Sequence, residues 1–100
     1  MIKTQIVEYR EGDTVCEGYL AYDDAKSGKR PGVLVAHEWG GCGEYMHARC
    51  KMLAELGYVA FALDIFGKGI RAQTFPDCEK ISKPYYEDRQ LTRRRQACTA

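Results

Sequence analysis

Two short apolar runs, Gly32-Val33-Leu34-Val35-Ala36 and Tyr58-Val59-Ala60-Phe61-Ala62-Leu63, stand on either side of a segment with helical period, and this limits the fold more than any other feature. Each run is continuous and rich in β-branched or aromatic residues. Such runs suit strands buried on both faces of a parallel sheet, and residues 32–36 are expected at the sheet centre. Between them, Tyr45, Ala48, Met52, Leu53 and Leu56 recur at helical spacing among Arg49, Lys51 and Glu55, and Gly57 follows as a helix stop. Parallel strands need a crossover, so a right-handed βαβ unit is predicted.

The flanks are simpler. Residues 2–10 alternate apolar and polar, Glu11-Gly12-Asp13 supplies turn chemistry, and residues 14–22 resume the alternation, which predicts a β-hairpin. Residues 23–31 form a polar loop. After Asp64, residues 65–83 read as loop, punctuated by Gly67, Gly69 and Pro76, and residues 85–100 as a weakly amphipathic, Arg-rich helix. The run Arg93-Arg94-Arg95 is balanced upstream by Glu87 and Asp88 and is expected to be a solvated face.

One domain over residues 1–100 accounts for the length, and a chain of this size buries roughly two-thirds of its unfolded surface. A formal net charge of +1 with 45% hydrophobic residues gives no global field for nucleic acid or membrane. The first ten residues carry no signal-type apolar core, and no stretch approaches the roughly 20 apolar residues of a membrane span, so a cytoplasmic location is expected. The five cysteines, Cys16, Cys42, Cys50, Cys78 and Cys98, are odd in number, scattered, and never in a C-x-x-C pair. Reduced thiols are expected, not a disulfide framework or a zinc ribbon.

In open α/β sheets, ligands bind outside the carboxyl ends of the parallel strands, where loops diverge and helix N-termini present free N–H groups. Two such ends occur here: His37-Glu38-Trp39-Gly40-Gly41-Cys42-Gly43 and Asp64-Ile65-Phe66-Gly67-Lys68-Gly69. Charged residues directly after a buried strand, followed by glycines that let backbone approach a ligand, are hard to explain by packing alone.

The order hairpin, loop, RPGVLVAHEWGG, helix ending MLAELGY and strand VAFALDIFGKG is similar to the N-terminal half of the dienelactone hydrolase family. The resemblance runs along nearly the whole chain. It implies an α/β-hydrolase fold, N-terminal portion, with a β-hairpin, then β-α-β with parallel strands, in an incomplete sheet. It also implies ester or lactone cleavage through an acyl-enzyme on a Cys-His-Asp triad, without cofactor or metal. Trp39 then offers a backbone N–H to the oxyanion, a preorganised donor that stabilises the tetrahedral intermediate by roughly 3 kcal/mol. Glu38 matches a glutamate beside the nucleophilic thiol, where a partly buried carboxylate can hold or accept the thiol proton. The bland alternative is that Glu38 pairs with Arg or Lys to anchor the loop. Lys68 and His37 are the expected substrate-binding residues. Lys68 stands near a family arginine that holds a carboxylate-bearing lactone, keeping its charge but losing the bidentate fork.

The family nucleophile sits in a G-x-[S/C]-x-G elbow, with the acid and histidine later in the chain. No such pentapeptide occurs in these 100 residues. Cys42, after two glycines and before a helix, is weighed as a substitute and set aside because Gly40-Gly41-Cys42-Gly43 lacks the elbow spacing. Cys16 and Cys50 are expected to be half-buried packing residues. Metal binding by His37, Cys42, His47 and Cys50 matches no zinc spacing, and a nucleotide-binding module lacks G-x-G-x-x-G and P-loop spacing. A catalytically inactive fragment or interaction module of the same fold is the second reading. In the family order, residues 33–36 lack one neighbouring strand, so an apolar edge is expected to invite self-association or a completing chain.

Overall fold

The computed structural model describes residues 1–25, 28–37, 40–72 and 74–97. The elements are β1 (Ile2–Glu11), β2 (Thr14–Asp23), β3 (Gly32–Val35), α1 (Glu44–Glu55), β4 (Val59–Ala62), α2 (Phe75–Glu87) and α3 (Arg89–Ala97). The hairpin forms as its alternation predicts: β1 and β2 pair antiparallel from Ile2↔Asp23 to Glu11↔Thr14. Its two-residue turn uses Gly12 at φ +57°, a region a side chain disfavours. The four strands lie in the order β1-β2-β4-β3. β2 meets β4 antiparallel, and β3 meets β4 parallel with Val33 opposite Ala60 and Val35 opposite Ala62. The crossover predicted from the two apolar runs is therefore present.

One expectation about this unit is corrected. The run is not buried on both faces: β3 is the edge strand among the described residues, as an incomplete sheet implies, and its side chains alternate between exposed and half-buried, with Leu34 54% exposed. Burial on both faces requires elements packed over both, and α1 packs on β2 and β4, with Val35 of β3 only partly buried against that core.

The face of α1 that is buried also differs from the one expected. Met46, Cys50 and Ala54 pack on Tyr19, Ala21, Ala60 and Ala62 with Cys42; of the expected stripe Leu53 packs against this core partly buried, while Tyr45, Met52 and Leu56 are exposed. Both stripes have helical spacing. The sheet presents mostly alanines to the helix, so the stripe with the smaller side chains, Cys50 and Ala54, permits the closer approach. Gly57, at φ +101°, ends α1 as expected. Its N–H donates to Ala54 O at 3.0 Å and that of Tyr58 to Leu53 O at 3.1 Å, the paired bonds of a Schellman motif.

The opposite face carries Phe61 together with Leu63, Ile65, Phe66, Ile81 and Tyr85. Residues 75–83, expected as loop, belong instead to α2. Its start has a helix signature: Thr74 accepts from the Asp77 N–H and Pro76 lies in the first turn, where a missing N–H is harmless. The Arg-rich helix is interrupted at Asp88, whose backbone is extended. Its N–H closes α2 on Pro84 O at 2.9 Å, and its carboxylate caps α3 through the Leu91 N–H at 3.1 Å. Among the described residues no helix is long and apolar enough to cross a membrane.

Candidate active site

The loops after β3 and β4 meet. His37 turns its ring edge to Phe66, with centroids 4.7 Å apart, and its Nε2 accepts the Ile65 N–H at 3.0 Å. Farther along, Gly40 O accepts the Ala72 N–H at 2.9 Å. Gly41 is required there: its φ is +97°, and a Cβ would stand 3.0 Å from Ile70 O. Arg71, which no sequence spacing marked, lays its Cδ against Gly41 and donates from Nη1 to Ile70 O at 2.9 Å. Glu38 and Trp39, the expected thiol partner and oxyanion donor, lie outside the described residues.

The second loop is held by groups from several other elements. Asp64 is fully buried; its Oδ2 accepts the Glu17 N–H at 2.9 Å and its Oδ1 the Gly67 N–H at 3.1 Å. The Tyr9 hydroxyl accepts the Asp64 N–H at 2.9 Å and donates to the Asp64 carbonyl at 3.2 Å. Burial of that phenol pushes its pKa up to about 12. The Lys68 N–H donates to Val15 O at 2.8 Å, and the Tyr85 hydroxyl to Phe66 O at 3.3 Å. Every residue from Asp64 to Lys68 is thus tied through its backbone to another group. Such a loop is preorganised at no further entropic cost when a ligand arrives.

Of the two expected substrate-binding residues, His37 faces a groove of about 390 Å³ shared with Phe66, Ser82, Tyr85 and Thr92. Lys68 does not line it. Its ammonium is half exposed and pairs with Glu8 and, at 4.0 Å, with Glu17 on the hairpin; the hydrogen bond to Glu8 raises its pKa. The tripeptide Arg93-Arg94-Arg95 is also corrected. Arg94 pairs with Glu11 at 3.6 Å, and Arg95 is buried, with Nε donating to Glu11 Oε1 at 2.8 Å, so this is not simply a solvated face. A charge run in sequence cannot show that one member turns inward to a glutamate 84 positions away.

Cys16, Cys42 and Cys50 face inward. The Cys42 thiol lies 3.9 Å from Ala62 O in the α1 core, and burial pushes its pKa up to about 11. That outweighs the helix N-terminus behind it and argues against a reactive thiolate. Cys16 and Cys50 are wholly buried rather than half-buried, and burial raises the Cys50 thiol as well. His47 stacks on Tyr19 with centroids 4.0 Å apart. Cys42 and Cys50 lie in one core with Tyr19, on which His47 stacks, while His37 faces the loop after β4, and among the described residues no group of three or more His, Cys, Asp or Glu could hold a metal ion.

The dienelactone hydrolase family profile matches residues 16–100. The chain belongs to the dienelactone hydrolase family. Over 88 residues it is 34% identical to the "Putative carboxymethylenebutenolidase" of Aquifex aeolicus, an alignment covering 85% of this chain and 36% of that protein. Among solved structures, a dienelactone hydrolase-like promiscuous phosphotriesterase from metagenomic libraries superposes with a TM-score of 0.89 at 34% identity, covering 97% of this chain and 40% of that one. The structure named m3DLH gives 0.85 at 30% identity, covering 97% and 42%. The fold is thus the N-terminal portion of an α/β-hydrolase, and the dienelactone hydrolase family to which it belongs is one of hydrolases. The chain spans little more than a third of the curated relative it matches.

Proposed function

We propose that this chain supplies the oxyanion wall of a carboxylic ester or lactone hydrolase that works through an acyl-enzyme on a Cys-His-Asp triad. The nucleophile, acid and histidine are not among these 100 residues, which contain no G-x-[S/C]-x-G elbow. The observation that carries this reading is the seam between the loops at the carboxyl ends of β3 and β4, closed by Ile65–His37 and Ala72–Gly40 bonds. That is where this class of sheet binds ligands. In this reading the Trp39 N–H receives the developing oxyanion, and Glu38 holds or accepts the thiol proton. Both assignments rest on the family motif. The substrate is a small ester or lactone; for a carboxylate-bearing one, Lys68 would have to be drawn from Glu8 and Glu17. A cytoplasmic setting with no cofactor, nucleic-acid or membrane partner belongs to the same proposal.

A second reading is an inactive fragment or interaction module of the same fold. Hydrolysis of a small aryl ester by this chain, then by a version extended through an elbow, separates the two. A neutral phosphotriester joins the panel because one relative carries that activity in its name. Turnover only in the longer version supports the hydrolase, turnover in neither supports the module, and turnover in the short chain that is lost in Cys42→Ala would restore Cys42 as nucleophile.

A further inference from the structure

We propose that Arg95 is a positioning residue for this site, acting through Ile65 on His37 and so on the loop that opens after β3. Ile65 is gripped at both ends of its own backbone. Its N–H donates to His37 Nε2 at 3.0 Å, and its carbonyl accepts from Arg95 Nη1 in a buried bond. Arg95 is fixed in turn on every side. Nε donates to Glu11 Oε1 at 2.8 Å, Nη2 to Thr14 Oγ1 at 3.0 Å and Nη1 to Tyr85 Oη at 3.1 Å, with the side chain 6% exposed. The guanidinium fork is planar and rigid, so setting the Glu11 and Thr14 directions also aims Nη1. Removing the ion on Glu11 would leave a buried cation without its counter-charge and release that aim.

The consequence reaches the His37 ring through Ile65. A backbone N–H only donates, so a His37 that accepts from Ile65 is neutral, bare at Nε2, with its hydrogen on Nδ1. The hairpin turn, α3 and the loop after β4 together hold that tautomer and the ring's orientation. This rests on the reading of the loop after β3 as the oxyanion wall, but its test needs no turnover.

Long-range proton–nitrogen NMR on this 100-residue chain reads the His37 tautomer, and amide exchange reads the Ile65 N–H. In the parent chain, His37 shows the single Nδ1–H form and Ile65 is protected. In Arg95→Met and Glu11→Gln, His37 moves to a mixture of tautomers and Ile65 exchanges about tenfold faster or more. Should Arg95→Met fail to fold, Glu11→Gln and Thr14→Ala, which keep the arginine, carry the test. A folded Arg95→Met or Glu11→Gln chain with the parent His37 signature overturns the proposal, even if less stable, because a merely structural arginine would lower stability and leave that ring alone. In an elbow-containing version, absent hydrolysis with an intact His37 signature counts against the hydrolase reading and not against Arg95.

Discussion

Cys42 and His47 show how burial sets reactivity one residue at a time. The Cys42 thiol, at about 11 in the folded chain against an ordinary 9.0, is neutral at physiological pH. In the native chain at pH 8, thiol reagents are therefore expected to modify partly exposed Cys78 before Cys42, which reacts only on unfolding, as mass spectrometry of alkylated peptides would show. The sign for stability follows. Folding favours the protonated thiol, so its contribution is present below pH 9.0 and is lost as pH rises toward about 11. His47 behaves oppositely. Burial lowers its pKa below 6.5, folding favours neutral imidazole, and the unfolded chain binds more protons below that pH. Stability should fall as pH drops from 6.5, and His47→Phe, which keeps a ring against Tyr19, should flatten the fall in urea titrations. An unchanged slope would contradict this account.

At the scale of elements, close approach and caps decide. Gly18 in β2 leaves room for Phe61 of β4: a Cβ would lie 2.3 Å from the ring's Cζ and 3.0 Å from Ala62 O. Gly18→Ala therefore overpacks a strand junction and should destabilise by roughly 1–3 kcal/mol in denaturant unfolding. Asp88 is the hinge between α2 and α3, and Asp88→Ala should remove about 1 kcal/mol through loss of the α3 cap, with helix content by circular dichroism reporting the change. Gly67, Gly69 and Pro76 make residues 65–83 look like loop in the sequence, but Thr74 followed by Pro76 is a helix start, because a proline in the first turn loses no needed hydrogen bond.

For the whole molecule, the side of β3 turned away from β4 has no paired strand among the described residues. Leu34 is 54% exposed on a strand that pairs only with β4 among the described residues. Unpaired edges carrying apolar side chains invite pairing with another chain. Concentration-dependent association by sedimentation is expected, reduced by Leu34→Lys. A monomer at all concentrations, with no effect of the lysine, would show that this edge is protected in another way.

What the sequence by itself determined is the order of elements from β1 to β4, because alternation, apolar runs, Gly57 and the Gly12 turn are local signals with local causes. The family also followed from the segment after β3, since the chemistry of that loop is written in adjacent residues. Only the tertiary structure decided which α1 stripe is buried, that Lys68 faces the hairpin and that Arg95 turns inward. These outcomes share a physical reason. Each depends on a partner far along the chain: alanines of β2 and β4 for α1, Glu8 and Glu17 for Lys68, Glu11 and Ile65 for Arg95. Periodicity records which side chains share a face, but only packing chooses what that face meets.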